Sequence, residues 1–241
     1  MKRMGIVLLF SALLFANEAD DIIRKVDHNM RGKNVYMKMH MTIKTKNHQR
    51  TMGMESWSEG KKKSFVKIIS PSKDAGITFL SLNGQMWQYV PKIERIIKIP
   101  PSMMLQNWMG SDISNDDVVK QSSIVDDYNA KLLSKKGNIA TIQLTPKPNA
   151  AVVWGKIVSK VNISNYTEIE DVFYDENGKK IRVFTYRNVK RFGKYHLPTV
   201  WKIKPLTKKY NSTTMTIEKV VYDGKISSQY FQKSALKRFS R

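Results

Sequence analysis

An alternation of apolar and polar residues with a period of two constrains the fold of this chain most strongly. It is clearest near the N-terminus, in Val35, Met37, Met39, Met41 and Ile43. Because successive side chains of a β-strand point to opposite faces of the sheet, this pattern predicts a strand with one buried face. Similar segments recur, separated by turn signals such as Asn83-Gly84, Asn177-Gly178 and Asp223-Gly224.

These segments together predict a mainly β protein. After residues 34–44, further strands are expected at 50–58, 63–70, 77–82, 85–90, 95–99, 128–134, 139–146, 156–163, 169–174, 180–187, 199–203 and 212–222. An amphipathic helix is predicted at 20–32, and the tail 228–239 fits a basic helix or a last strand and turn. Since no linker interrupts the chain, we expect residues 17–241 to form a single domain: one open antiparallel sheet curved around the helices.

Residues 1–16 have the features of a signal peptide. Lys2 and Arg3 form a basic start, an apolar run follows, and Ala16 precedes a polar segment. The run is shorter than the roughly 20 residues that span a bilayer, so an uncleaved anchor or a buried helix is the weaker interpretation. We expect cleavage after Ala16 or, as the second choice, after Ala19. Because the chain has no Cys, we expect an exported protein without a lipid anchor.

The chain is strongly basic, with 42 Lys and Arg against 20 Asp and Glu. Loss of Lys2 and Arg3 with the signal peptide lowers the formal net charge from +22 to +20. Such a charge favours an anionic partner, and export argues against nucleic acid. Phospholipid headgroups, lipopolysaccharide phosphates and an acidic face of a partner protein remain, as does a merely solvated surface.

Catalysis and metal binding find little support in the sequence. The absence of Cys removes thiolate ligands and Cys nucleophiles, and the four His lack the spacing of a helical zinc motif. Neither a nucleophile elbow nor a phosphate loop nor a dinucleotide fingerprint occurs. We therefore expect no enzymatic activity, no cofactor and no metal.

The 13 methionines are informative as a set. Met37, Met39 and Met41 share one strand face, and more Met residues lie in the middle segment 103–109. The flexible thioether suits surfaces that accept varied apolar shapes. Core filling explains any single Met more simply, but the whole set favours a groove for acyl chains.

The segment 76–119 carries the most specific pattern. In order it contains Gly76-Ile-Thr-Phe-Leu80, Met86-Trp87-Gln-Tyr89-Val-Pro91, Glu94-Arg95-Ile96, Trp108-Met109-Gly110-Ser111-Asp112-Ile-Ser114 and Asp116-Asp117-Val118. This pattern resembles the outer-membrane lipoprotein-sorting (LolA-like) family, in the branch associated with transporters of the RND/MMPL type. Trp108 and Ile113 stand where Phe is frequent in the family, which keeps apolar bulk but leaves the size of the ligand open.

The resemblance implies an incomplete β-barrel wrapped over a few helices, with an apolar cavity for lipid or lipoprotein acyl chains. We expect an arginine, Arg95, at the cavity rim for a headgroup, and a wall formed by Met37, Met39, Met41, Trp87, Tyr89, Trp108 and Met109. In the alternative, Trp87 and Tyr89 fill the core, and Arg95 pairs with an acid such as Asp112.

A second group is expected to be structural: Pro91, Gly110, Ser111, Asp112, Ser114 and Asp117. Gly110 lets the backbone turn, Ser111 and Asp112 fix that turn, and Ser114 with Asp117 forms a capping box that opens a short helix. Residues 103–109 are a candidate lid.

The leading hypothesis is a periplasmic carrier or accessory protein that shields acyl chains. It would receive them from an inner-membrane RND/MMPL-type transporter and move them toward the outer membrane. One alternative is an interaction module that binds a transporter or an anionic membrane through its basic face without carrying lipid. A hydrolase of envelope polymers has the least support, because no acid/base constellation stands out.

Overall fold

The computed structural model describes residues 5–120 and 124–241, with side chains described for 18–119 and 124–241. The first four residues of the predicted signal peptide lie outside the described residues, and the side chains of its remainder are not described. The signal peptide and its cleavage site therefore stay predictions.

Within the described residues, thirteen strands form one antiparallel sheet. They are β1 (Asn34–Lys44), β2 (Gln49–Glu59), β3 (Lys63–Ser70), β4 (Thr78–Leu82), β5 (Gln85–Val90), β6 (Arg95–Ile99), β7 (Tyr128–Lys136), β8 (Ile139–Pro146), β9 (Lys156–Asn162), β10 (Thr167–Tyr174), β11 (Lys180–Phe192), β12 (Tyr195–Pro205) and β13 (Ser212–Tyr222). Their order across the sheet is β6-β5-β4-β3-β2-β1-β13-β12-β11-β10-β9-β8-β7. The pairing of β1 with β13 joins the two halves.

The sheet is open, because β6 and β7 form its two ends. The helices of the described chain are α1 (Gly5–Arg31), α2 (Asn115–Lys120), α3 (Ile124–Asp127) and α4 (Ala235–Arg238). This architecture confirms the predicted fold class of a mainly β protein with an incomplete antiparallel barrel and a few helices. No helix in the described part of the chain is long and apolar enough to cross a membrane.

Methionines dominate the inner face at the centre of the sheet. The register puts Met39 opposite Met54 and Met41 opposite Met52. Each of these four side chains is at most 5% exposed. Since burying a side chain of this size contributes about 1.5–3 kcal/mol, this layer stabilises the middle of the sheet.

Helix α1 packs on the inner face of the other half of the sheet. Its residues Ile22, Ile23 and Val26 are buried in one cluster with Ile142 and Leu144 of β8. The helix ends at Arg31, and the following Gly32 adopts a φ of +59°. The Gly32 backbone N donates to the His28 carbonyl at 2.8 Å. This left-handed glycine closes the helix and turns the chain into β1.

The C-terminal residues 228–239 cover the outer face of β3, β4 and β5. A 3-10 turn (Ser228–Phe231) comes first, and the short helix α4, with Lys237 and Arg238 in its last turn, forms part of the predicted basic helix. The Tyr230 ring stacks on Trp57 with 4.4 Å between ring centres. Leu236 is fully buried, and its carbonyl accepts a hydrogen bond from Thr78 Oγ1 at 2.7 Å. These strands are consequently covered on both faces.

Candidate functional site

The chain crosses the concave face of the sheet between β6 and β7. These two strands are opposite edges of the sheet, and the described residues 100–120 and 124–127 lie between them in the chain. On the way, Asp112 is held to β13: its backbone N donates to Thr213 Oγ1 at 2.9 Å, and Thr213 Oγ1 donates to its Oδ2 at 2.8 Å. Residues 101–120 are called the crossing segment below.

A cavity of about 280 Å³ lies between the concave face, α1 and the crossing segment. The sheet supplies a mainly apolar wall that includes Val35, Met37, Met39, Met54, Val66, Phe173, Trp201, Ile203 and Met215. Helix α1 adds Ile23, Val26 and Met30, and the crossing segment adds Trp108, Ile113, Val118 and Val119. A cavity with this lining is suited to an apolar ligand group.

The structure brings only part of the predicted cavity set to this wall. Met37, Met39 and Trp108 line the cavity. Met41 is fully buried in the same apolar cluster, and Met109 packs against that cluster. Trp108 is 4% exposed and meets the Phe79 ring nearly edge-on at 5.2 Å between ring centres. Its indole Nε1 has no hydrogen-bond partner within the described chain.

The expectation that Trp87 and Tyr89 line the cavity is corrected by the structure. Both lie on the outer face of β5 and pack with Leu236, whereas Met86 is the inward residue of this strand. The Lys233 ammonium lies 4.8 Å from a Trp87 ring centre. The two rings share a face, as predicted, but the C-terminal residues cover that face. Pro91 begins a 3-10 turn directly after β5.

The arginine that contacts the motif is Arg182 on β11, not Arg95. Arg95 is exposed on the edge strand β6. Arg182 Nη1 lies 2.6 Å from Asp117 Oδ2, and Nη2 lies 2.5 Å from Oδ1. The guanidinium carbon is 4.2 Å from the ring centre of Trp154 and 4.5 Å from that of Phe173. Because Arg182 is only 5% exposed, a buried bidentate ion pair fixes the crossing segment to β11.

The charge of Arg182 decides the protonation of Asp117. Burial by itself would raise the pKa of the Asp117 carboxyl, but the hydrogen bonds and charge of Arg182 outweigh burial and hold this pKa below its ordinary value. Asp117 is therefore ionised at neutral pH. The ion pair between Asp117 and Arg182 is therefore formed in the folded protein at pH 7.

The motif around Gly110 forms the local turn that its sequence predicts. The Ser114 backbone N donates to Asp117 Oδ2 at 2.7 Å, and the Asp117 backbone N donates to Ser114 Oγ at 3.1 Å. These are the reciprocal bonds of a capping box, and α2 begins at Asn115. Gly110 has a φ of +74°, and Ser111 Oγ donates to the Trp108 carbonyl at 2.7 Å. The turn thereby holds Trp108 against the cavity.

Two acidic side chains on β10, Glu168 and Asp171, also line the cavity. Ser159 Oγ donates to Asp171 Oδ1 at 2.5 Å, and the Tyr186 hydroxyl donates to Oδ2 at 2.8 Å. Burial raises the pKa of Asp171, although these two hydrogen bonds oppose the rise. Burial is the main cause that raises the pKa of Glu168, and the nearby charge of Asp171 raises it further. The sequence pattern does not indicate Glu168 and Asp171 as cavity residues, because residues 167–171 show no clean alternation.

These acids lead to a prediction on pH-dependent stability. The pKa of Glu168 is raised in the folded protein, so the folded protein binds more protons than the unfolded chain between about pH 5 and pH 8. The free energy of unfolding should therefore fall as the pH rises through this interval, and Glu168→Gln should remove roughly 1–2 kcal/mol of that fall. Urea unfolding across the interval measures the effect. Glu176→Gln, which changes an exposed acid in the turn between β10 and β11, is the control and should retain the wild-type fall. An unchanged pH dependence in Glu168→Gln would contradict the assignment.

A family model described as "Uncharacterized protein" matches residues 60–238 of the chain. This range contains the crossing segment, Arg182 and most strands of the sheet. No curated protein sequence matches the chain significantly.

Several solved structures share the fold. A DUF1329 family protein from Desulfovibrio piger superposes with a TM-score of 0.85 at 20% identity, over 92% of this chain and 99% of that chain. An outer membrane lipoprotein-sorting protein domain from Vibrio parahaemolyticus gives 0.81 at 20% identity, over 92% and 100%. A LolA superfamily protein from Nitrosomonas europaea gives 0.75 at 17% identity, over 90% and 98%. These likenesses confirm the LolA-like fold.

Proposed function

Because the chain belongs to the family whose model matches residues 60–238, and because it has a LolA-like fold, we propose that it carries lipid or lipoprotein acyl chains. The observation that carries the proposal is the apolar cavity of about 280 Å³ beneath the crossing segment. Transfer of an acyl chain from water to such a lining is favourable, by about 0.8 kcal/mol per buried methylene. Carriage of this kind requires no catalytic group.

We propose further that the carrier works in the periplasm, exported by the signal peptide 1–16 and not lipidated. It would receive its cargo from an inner-membrane transporter of the RND/MMPL type and move it toward the outer membrane. The resemblance of the segment 76–119 supports this part of the proposal, and the basic charge of the chain is compatible with docking at an acidic or anionic surface.

A fluorescent fatty acid titrated into delipidated protein tests carriage directly. We expect saturable uptake of about one probe per protein, with a blue-shifted emission that reports an apolar environment. An unlabelled phospholipid should displace the probe. Delipidated, folded protein that takes up no probe would contradict the proposal.

A second candidate function is an interaction module that binds an anionic membrane or a transporter through a basic surface. The observation that favours it is the outer face of the sheet, where outward positions of β1, β12 and β13 carry lysines: Lys38, Lys44, Lys202, Lys204 and Lys219. In this case the cavity would stay without cargo while the protein still bound membranes. The probe titration separates the two functions.

Membrane association through this basic face should depend steeply on salt. We expect binding to vesicles that contain phosphatidylglycerol to weaken by about tenfold or more between about 50 and 300 mM NaCl, because salt screens exposed charges. Co-sedimentation measures the bound fraction, and vesicles of phosphatidylcholine alone are the control. Association that is indifferent to salt would contradict an electrostatic role for the lysines.

A further inference from the structure

The turn between β2 and β3 puts three consecutive lysines at the border of the cavity. Gly60, with a φ of +57°, begins this turn. Lys61, Lys62 and Lys63 follow it, and all four residues belong to the cavity lining. Lys61 and Lys62 are exposed and Lys63 is half-buried, so their ammonium groups reach the solvent at the mouth. This lysine turn is polar, whereas most of the cavity is apolar.

The inward side chains of β2 change from polar to apolar with distance from the lysine turn. Ser58 and Ser56 come first and Met54 follows, and all three line the cavity. On β3, Ser64 and then Val66 line it in the same order. Since a strand rises about 3.4 Å per residue, Ser58 and Met54 lie about 14 Å apart along β2, and this length of strand separates the apolar wall from the turn. The wall therefore has a charged end, a hydroxyl zone and an apolar interior.

The ammonium groups of the lysine turn are exposed, and the ion pairs that Lys61 and Lys63 form are weak. Lys61 Nζ lies 2.9 Å from Asp126 Oδ1, and Lys63 Nζ lies 2.6 Å from Glu59 Oε1. Both lysine side chains are more than one third exposed, so these ion pairs are weak and exchange readily. No carboxylate of the described chain forms a salt bridge with Lys62.

We propose that the lysine turn binds the anionic, phosphate-bearing headgroup of an amphiphile whose acyl chain occupies the cavity. The inference rests on the proposed carrier function and narrows its cargo. Ammonium groups bind phosphate oxygens through charge-assisted hydrogen bonds, and the hydroxyls of Ser56 and Ser64 can donate to the ester oxygens between headgroup and chain. The order of groups along such a lipid matches the order of side chains along β2 and β3.

Short-chain lipids used below their micelle concentration test the headgroup preference. Dihexanoyl phosphatidylglycerol and dihexanoyl phosphatidylcholine carry the same chains, so their affinities differ only through the headgroup. We expect the wild-type protein to prefer the anionic lipid by about tenfold or more. In a triple variant, Lys61→Gln, Lys62→Gln and Lys63→Gln, the preference should vanish while the zwitterionic lipid still binds.

A matched variant removes the same charge elsewhere. Lys202→Gln, Lys204→Gln and Lys219→Gln change three exposed lysines on the outer face, and this protein should keep the wild-type preference. Inorganic phosphate, used as a competitor at the concentration of the lipid, should not displace it. An absent preference in wild type, an equal loss in both triple variants, or full displacement by inorganic phosphate would each overturn the inference. Failure of both lipids to bind would instead contradict the carrier function itself.

Discussion

Arg182→Met should lower the free energy of unfolding by about 3–5 kcal/mol. The variant leaves the Asp117 carboxylate without its buried bidentate partner, whose guanidinium lies against the rings of Trp154 and Phe173. Removing one member of a buried ion pair is costly, because the remaining carboxylate is only partly solvated and has lost the opposite charge beside it. Urea unfolding followed by tryptophan fluorescence at pH 7 measures the loss.

Two comparisons identify the source of that loss. The double variant Arg182→Met with Asp117→Leu removes both charges and should recover part of the loss, since no uncompensated charge remains. Lys160→Met breaks the surface pair with Glu170 and should cost no more than about 1 kcal/mol. If Arg182→Met cost no more than Lys160→Met, the buried pair would not be what fixes the crossing segment.

Ser56→Trp should weaken the binding of an acyl probe by about a hundredfold or more, which corresponds to roughly 3 kcal/mol. Ser56 lies in the cavity wall on β2, opposite Met37 of β1 and Val66 of β3. Its side chain is small and half-buried, so an indole at this position would take up space that the acyl chain needs. The fluorescent fatty acid titration measures the loss.

The matched control places the same side chain outside the cavity. Thr216 is an exposed residue of β13, and Thr216→Trp should bind the probe with the wild-type affinity. Near-ultraviolet circular dichroism establishes that both variants are folded. A folded Ser56→Trp protein with wild-type affinity would show that the probe binds elsewhere.

Much of the fold follows from short-range patterns. The alternation from Val35 to Ile43 predicts β1 and its inward Met residues, because the strand period is local. The turn at Asn83-Gly84 is also local: both residues have positive φ, as an Asn-Gly hairpin requires. The path of the tail was not predictable, because its helix and turn depend on contacts with the distant strands β3, β4 and β5.

The site was less predictable, because it depends on long-range contacts. Asp117 was identified as a helix cap, but its partner Arg182 lies 65 residues away. The strand period correctly predicts that Trp87 and Tyr89 share one face of β5. This strand is covered on both faces, however, and periodicity does not show which face borders the cavity. The lysine turn offered a visible signal, three consecutive lysines after Gly60, whose meaning depends on the apolar space behind it.

Native mass spectrometry of the exported protein, purified without detergent, tests the central claim most directly. Wild-type protein should carry the added mass of a defined lipid or acylated peptide, which organic extraction releases and identifies. The Ser56→Trp variant, purified in parallel, should carry no such mass. Wild-type protein that is empty, and that takes up no acyl probe when folded and delipidated, would contradict the claim that the cavity carries acyl chains.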